Sequence, residues 1–378
     1  MMRCLIYVLA AGLLLNGCTK KNDVTSATEI RIGQFGSMTG GEATFGQSTD
    51  KGIRLAIDAK NAAGGVKGKK LVLLTQDNQG KPEEAAAVVK KLITQDGVVA
   101  ILGEVASTRS LAAAPIAQQY KVPMVSPSST NPKVTQVGDY IFRVCFIDPF
   151  QGPVMAKFAS ENLKLKKVAV LKDLKSDYSL GLSEFFVKKF KELGGTIVAE
   201  QTFQTGDSDF KAQLTQIRST NPDAIFIPAY YTEVGLIARQ ARQLGLKAVL
   251  LGGDGWDSPK LFEIGQAAIQ GAYFSNHYAS ESPNPATQKF ITDYKAKFNE
   301  TPDGLSAAGY DAAMILIDAL ERAPELTPKA IRDELAKTSG FDGATGKITI
   351  NSERNADKDA FIVKVEGKAL KFVTLLGP

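Results

Sequence analysis

From Glu29 onward, short β-branched runs alternate with stretches that carry apolar residues at helical spacing, and little interrupts the two. A short unbroken or alternating apolar run marks a strand, and recurrence at i, i+3 and i+4 marks an amphipathic helix. Strands are therefore expected over 30–35, 71–75, 98–102, 122–125 and 140–146, with helices over 45–62, 83–94 and 110–120 between them. The same grammar restarts with a helix over 149–163. Strands over 167–171, 196–203, 224–228 and 248–251 follow, separated by helices over 178–193, 210–218 and 233–244. Such alternation builds a parallel sheet covered by helices on both faces. The remainder, from about Gly271, holds helices over 285–299, 305–322 and 328–337 and a hairpin over 361–375, too little for a third unit. Assigned to the two earlier units, these pieces give an α/β protein of two doubly wound lobes joined by a multi-crossover hinge. The chain would cross between lobes near Phe146, Ser275 and Ile350. The expected division is 29–146 plus 276–350 for one lobe and 147–275 plus 351–378 for the other, and 378 residues suffice for two cores.

In an open sheet of this kind ligands settle beyond the carboxyl ends of the strands. Two loops there are dense with hydroxyls: Ser107 and Thr108 before the helix over 110–120, and Ser126, Ser128, Ser129 and Thr130 after the strand over 122–125. A helix start presents unpaired N–H groups and a partial positive charge, so hydroxyls there suit a small anion such as a carboxylate. The plainer reading is that Ser107 caps its helix and the 126–130 segment turns the chain. A third loop, Gly252-Gly253-Asp254-Gly255-Trp256, offers an acidic group, although an aspartate flanked by glycines is also a common turn former. Trp256, the one tryptophan, is either a core or surface anchor or a wall beside a bound ligand.

The N-terminus reads as a processing segment. Arg3 precedes an apolar stretch over 5–15, too short to span a bilayer, and Leu15-Asn16-Gly17-Cys18 follows. This resembles the lipobox of bacterial lipoprotein signal peptides, which implies a signal over 1–17, a lipidated Cys18 and a polar tether over 18–28. An ordinary secretory signal with an incidental cysteine is the simpler alternative. Cys145 is then the only cysteine left in the fold and is expected to act as a small buried hydrophobe. With one histidine, His277, and no paired Cys-x-x-Cys, no metal site and no cofactor are expected. A net charge of +5 spread along helices is too mild for a nucleic-acid partner.

With these motifs in order, the chain resembles the leucine/isoleucine/valine-binding family, the type I periplasmic solute receptors of ABC importers. The resemblance begins at Ile32 (Ile-Gly-Gln-Phe-Gly-Ser-Met-Thr-Gly) and Ala59 (Ala-Lys-Asn-Ala-Ala-Gly-Gly-Val-Lys-Gly). It continues through Gln76 (Gln-Asp-Asn-Gln-Gly-Lys-Pro-Glu-Glu-Ala), the hydroxyl loops, Gln151-Gly152-Pro153 and Ala238 (Ala-Arg-Gln-Ala-Arg-Gln-Leu-Gly-Leu). By position it implies that Ser107 and Thr130 donate to a ligand carboxylate and that Ser128 contributes main-chain contacts. It further implies that Asp254 receives the ligand ammonium, with Tyr178 and Tyr230 as second-lobe walls. Phe45 stands where a tyrosine can occur, Asp254 stands where glutamate is common, and Gly80 and Ala106 replace the cysteines of a disulfide found in some relatives.

The resemblance thus implies a lipid-anchored, extracytoplasmic monomer that captures an α-amino acid, branched and aliphatic, and delivers it to a membrane permease. A receptor for an amide, urea or an aromatic acid is the alternative within the family. An enzyme is disfavoured by the lack of a Gly-x-Ser-x-Gly elbow or a dinucleotide Gly-x-Gly-x-x-Gly, with His277 the only imidazole. A sensory receptor domain would need an attached signalling segment, and none is evident.

Overall fold

A computed structural model describes residues 28–377. The signal segment, Cys18 and the tether up to residue 27 lie outside the described residues. Five parallel strands form the first sheet: β1 (Glu29–Gly36), β2 (Lys70–Asp77), β3 (Ala100–Leu102), β4 (Met124–Ser126) and β5 (Ile141–Arg143). Helices α1 (Ala43–Ala62), α2 (Pro82–Thr94), α3 (Ser107–Tyr120) and α4 (Lys133–Gln136) connect them. The second unit opens with α5 (Asp148–Lys157). Then come β6 (Lys167–Asp173), α6 (Asp177–Glu192), β7 (Thr196–Phe203), α7 (Lys211–Ser219), β8 (Ala224–Phe226), α8 (Tyr231–Gln243), β9 (Val249–Gly252), α9 (Pro259–Gly265) and β10 (Tyr273–Asn276). The strand orders are β2-β1-β3-β4-β5 and β7-β6-β8-β9-β10, the same arrangement twice. In each lobe the winding reverses at the second and third strands in that order, which places a crevice at the carboxyl ends of β1 and β3 and of β6 and β8.

The local sequence explains the elements. Pro82 occupies the first turn of α2 with Glu83 and Glu84 beside it, where a missing N–H costs nothing and negative charge suits the helix start. Ala85, Val89 and Leu92 then bury one stripe of that helix against the first sheet and α3. The opposite face of the sheet is covered by α1 and by α11 (Gly304–Arg322), which follows α10 (Pro285–Phe298). Asp303 and Ser306 close a reciprocal capping box at the start of α11. The two helices approach so closely that a Cβ on Gly52 would lie 1.9 Å from the Ser306 carbonyl oxygen. The second lobe has an aromatic core in which Phe186 stacks on Phe226 with ring centroids 3.8 Å apart.

After α12 (Pro328–Leu335) come three elements that the residue pattern does not announce. They are the short antiparallel strands β11 (Phe341–Gly343), β12 (Gly346–Ile350) and β13 (Ala356–Asp357). Because Ala356 pairs with Ile350 and joins the first-lobe core, the chain stays with the first lobe to about 357 rather than turning over after 350. The strand β14 (Ala360–Glu366) then runs antiparallel to β10, and β15 (Ala369–Leu376) forms the outer edge of the second sheet. Three segments therefore join the lobes: the stretch around Cys145 and Phe146, the stretch after Asn276, and Lys358 with Asp359. No described helix is long and apolar enough to cross a membrane.

Candidate functional site between the lobes

The hydroxyl-rich loops lie at the carboxyl ends of β3 and β4, and most of their side chains knit the loops together. Ser126 Oγ donates to the Glu104 carbonyl at 2.7 Å, and Ser129 Oγ pairs with Ser110 Oγ at 2.7 Å. Ser107 is not a helix cap. Ala106 holds that position, and Ser107, the first residue of α3, accepts from the Asn131 N–H through its Oγ at 3.2 Å. That bond leaves its O–H available to donate. Thr130 Oγ1 is buried with no hydrogen-bond partner among the described residues. Beside it, burial pushes the Asp148 carboxyl well up.

The second lobe answers with Asp254, 4% exposed, at the carboxyl end of β9. Gln151 Nε2, from α5, donates to Asp254 Oδ1 at 2.7 Å. Asp254 Oδ2 is 3.2 Å from Ser128 Oγ of the first lobe and 3.1 Å from His277 Nε2. Tyr178, at the start of α6, and Tyr230, just before α8, stack with centroids 5.3 Å apart and planes 5° from parallel. Burial pushes both phenols well up, so they serve as neutral walls. The glycines around Asp254 make this approach possible. A Cβ on Gly253 would sit 2.4 Å from the Tyr178 hydroxyl, and one on Gly255 would sit 2.8 Å from the Tyr230 ring. Tyr178 also accepts the Gly255 N–H through its hydroxyl oxygen at 3.2 Å.

From the first lobe, Phe45 on α1 sets its ring edge-on to Tyr230, with centroids 5.2 Å apart. Around it the lobes are stitched shut. Thr232 Oγ1 donates to the Gly41 carbonyl at 2.7 Å, Thr44 Oγ1 meets Ser258 Oγ at 2.9 Å, and Thr108 Oγ1 donates to Asp177 at 2.9 Å. Hydroxyl donors on one lobe thus face an acidic group on the other, inside a box of aromatic rings.

The molecule matches the family model described as periplasmic binding protein over residues 29–369. The chain belongs to the periplasmic binding proteins. Among relatives of this periplasmic binding protein, the Leu/Ile/Val-binding protein homolog 3 of Brucella melitensis is 31% identical over 335 residues, which cover 88% of this chain and 90% of the relative. The crystal structure of a leucine binding protein from Thermotoga maritima aligns with 45% identity and a TM-score of 0.89, covering 92% of this chain and 99% of that one. A branched-chain amino acid transporter substrate binding protein from Streptococcus pneumoniae, solved in complex with isoleucine, aligns with 34% identity and a TM-score of 0.89. That alignment covers 93% of this chain and 100% of the other.

Of the eight side chains singled out in the sequence, the structure sets Phe45 against Tyr230, Tyr230 against Tyr178 and Ser128 against Asp254 between the lobes, with Ser107 and Thr130 buried in the adjoining first-lobe loops. Trp256 is not among them. Its ring is fully buried beneath Gly252 and tilted against Phe274, and its indole N–H donates to the Ile227 carbonyl at 2.9 Å. It is a core anchor of the second lobe. Ser128, expected to contribute main-chain contacts, also donates through its hydroxyl to Asp254. Gln151 and His277 were not expected at the site. Gln151 stood within a recognised motif, but nothing in that motif shows that it reaches a loop 103 residues away. Cys145 is buried in the first crossing, where burial pushes its thiol up to about 12 and leaves it inert.

Proposed function

We propose that this periplasmic binding protein is the receptor of an ABC importer and binds a branched-chain α-amino acid such as leucine, isoleucine or valine between its lobes, for delivery to a membrane permease. The observation that carries the reading is the buried Asp254 carboxylate, which meets the Ser128 hydroxyl of the first lobe, with Ser107 and Thr130 on the same pair of first-lobe loops. A zwitterion needs an acceptor for its ammonium and donors for its carboxylate, and a buried charge left unpaired is costly. The aromatic box of Phe45, Tyr178 and Tyr230 suits an aliphatic side chain. The names of the Brucella relative and of the two aligned structures support the same class of ligand.

A thermal-shift panel of the common amino acids, simple amides, urea and aromatic acids tests the reading. Ligand at a hundred times Kd adds about 2.7 kcal/mol to stability. Leucine, isoleucine or valine should give the largest shifts. A shift confined to amides, urea or aromatic acids would replace the amino-acid reading with the other family chemistry.

The lipobox-like Leu15-Asn16-Gly17-Cys18 and its polar tether support anchoring of the receptor outside the cytoplasm through a lipid on Cys18. Cys18→Ala should move the protein from the membrane fraction to the soluble fraction with ligand binding intact. Membrane fractionation that does not change would contradict the anchor.

A further inference from the structure

We propose that His277 is the positioning residue of the binding site: carried by the hinge, it aligns the Asp254 carboxylate for the ligand ammonium. This rests on the amino-acid reading above. His277 follows directly on β10, at the second crossing between the lobes. Its Nε2 lies 3.1 Å from Asp254 Oδ2 on the second lobe and 3.2 Å from Ser128 Oγ on the first. Its Nδ1 has no partner among the described residues. Burial lowers its affinity for a second proton, with Asp254 opposing. A neutral ring facing a carboxylate through Nε2 carries its proton there, so His277 donates to Asp254.

Both the ring and the backbone of His277 are held in place. The ring lies over Phe146 of the first crossing, with centroids 3.9 Å apart. The backbone N–H donates to Asn276 Oδ1 at 2.7 Å, while Asn276 Nδ2 donates to Asp257 at 2.8 Å. Asp257 Oδ2 also accepts the Gly304 N–H at 2.7 Å, at the start of the first-lobe helix α11. His277 is thus tied to both lobes and to a neighbouring crossing. With Gln151 fixing Oδ1 and His277 fixing Oδ2, the carboxylate has one orientation in the closed molecule. A donor at this place does more than fill space. It decides how well Asp254 meets a cation, and it should matter little to a ligand that carries none.

The test compares L-leucine with its 2-hydroxy analogue, 2-hydroxy-4-methylpentanoate, by calorimetric titration of the wild type, His277→Ala and His277→Gln. Loss of a hydrogen bond that orients a charged group should weaken leucine binding by His277→Ala about ten- to a hundredfold. The hydroxy acid should weaken by no more than about threefold, so the preference for the amino acid collapses. His277→Gln keeps a donor on a side chain of similar reach and should recover most of the leucine affinity. Equal weakening of both ligands, or no rescue by glutamine, would make His277 a structural residue only and overturn the proposal. Unchanged binding in His277→Ala would overturn it as well. A wild type that binds no amino acid would overturn the amino-acid reading, and this proposal with it. If His277→Ala does not fold, His277→Leu, which fills the space without a donor, decides by the same ratio of affinities.

Discussion

Asp254→Asn should weaken binding of the preferred amino acid by about 2–5 kcal/mol, a loss of roughly thirty- to several-thousand-fold in affinity. The substitution keeps the size of the side chain and removes the charge that answers a buried ammonium. It has a second effect, because Asp254 is not at the mouth of the cleft. It is 4% exposed and takes hydrogen bonds from Gln151, Ser128 and His277. An asparagine must turn its NH2 toward one of these donors, so the unliganded protein should also lose about 1–3 kcal/mol. Titration with leucine and urea denaturation without ligand, run side by side, separate the two losses. Binding within about threefold of wild type would reduce Asp254 to a turn residue.

The largest effect on stability is expected from Arg109→Met. Arg109, on α3, stands between Glu42 and Glu104, with Nη1 2.7 Å from Glu42 Oε2 and Nε bonded to Glu104. All three side chains are 9% exposed or less. Burial alone would lower the guanidinium's hold on its proton, and the two carboxylates more than offset it; burial likewise raises Glu42, which Arg109 opposes. Removing the cation leaves two carboxyl groups buried without compensation, which typically costs about 3–5 kcal/mol. Replacing the whole group, Arg109→Met with Glu42→Gln and Glu104→Gln, removes the stranded charges and should recover much of that loss. Denaturant midpoints of the two variants provide the check. If the single variant unfolds at the wild-type midpoint, the triad contributes nothing to the loops beside Ser107.

How legible was this site in the residues alone? The loops were, because they follow buried strands and collect hydroxyls where a doubly wound sheet opens its crevice. Ser107, Thr130 and Asp254 all fall at such ends, and Tyr178 and Tyr230 fall at the helix starts that face them. The role of Ser107 was harder to see, since a serine at a helix start ordinarily caps it. Here Ala106 has that place, and Asn131 from the neighbouring loop takes up the Ser107 oxygen. His277 and Gln151 could not be read from local pattern, because their partners lie 23 to 149 residues away. A single histidine near a crossing is the one available signal, and the strand before it, only four residues long, carries no pattern of its own. The strands β11 to β13 are equally silent in the sequence. They are two to five residues long, and their pairing is set by contact with α11 and the first-lobe core rather than by propensity. Trp256 shows the converse. Its chemistry suited a ligand wall, but a glycine at 252 leaves the space that draws it into the core.

A closed cleft of this kind should recognise both charges of a branched-chain amino acid. Calorimetric titration of the wild-type protein with L-leucine, L-isoleucine and L-valine tests it most directly, alongside 4-methylpentanoate, which lacks the ammonium, and 3-methylbutylamine, which lacks the carboxylate. Saturable binding of one branched-chain amino acid per chain is expected, with each single-charge analogue weaker by roughly thirtyfold or more. Equal affinity for 4-methylpentanoate, or no binding of any of the three amino acids, would contradict it.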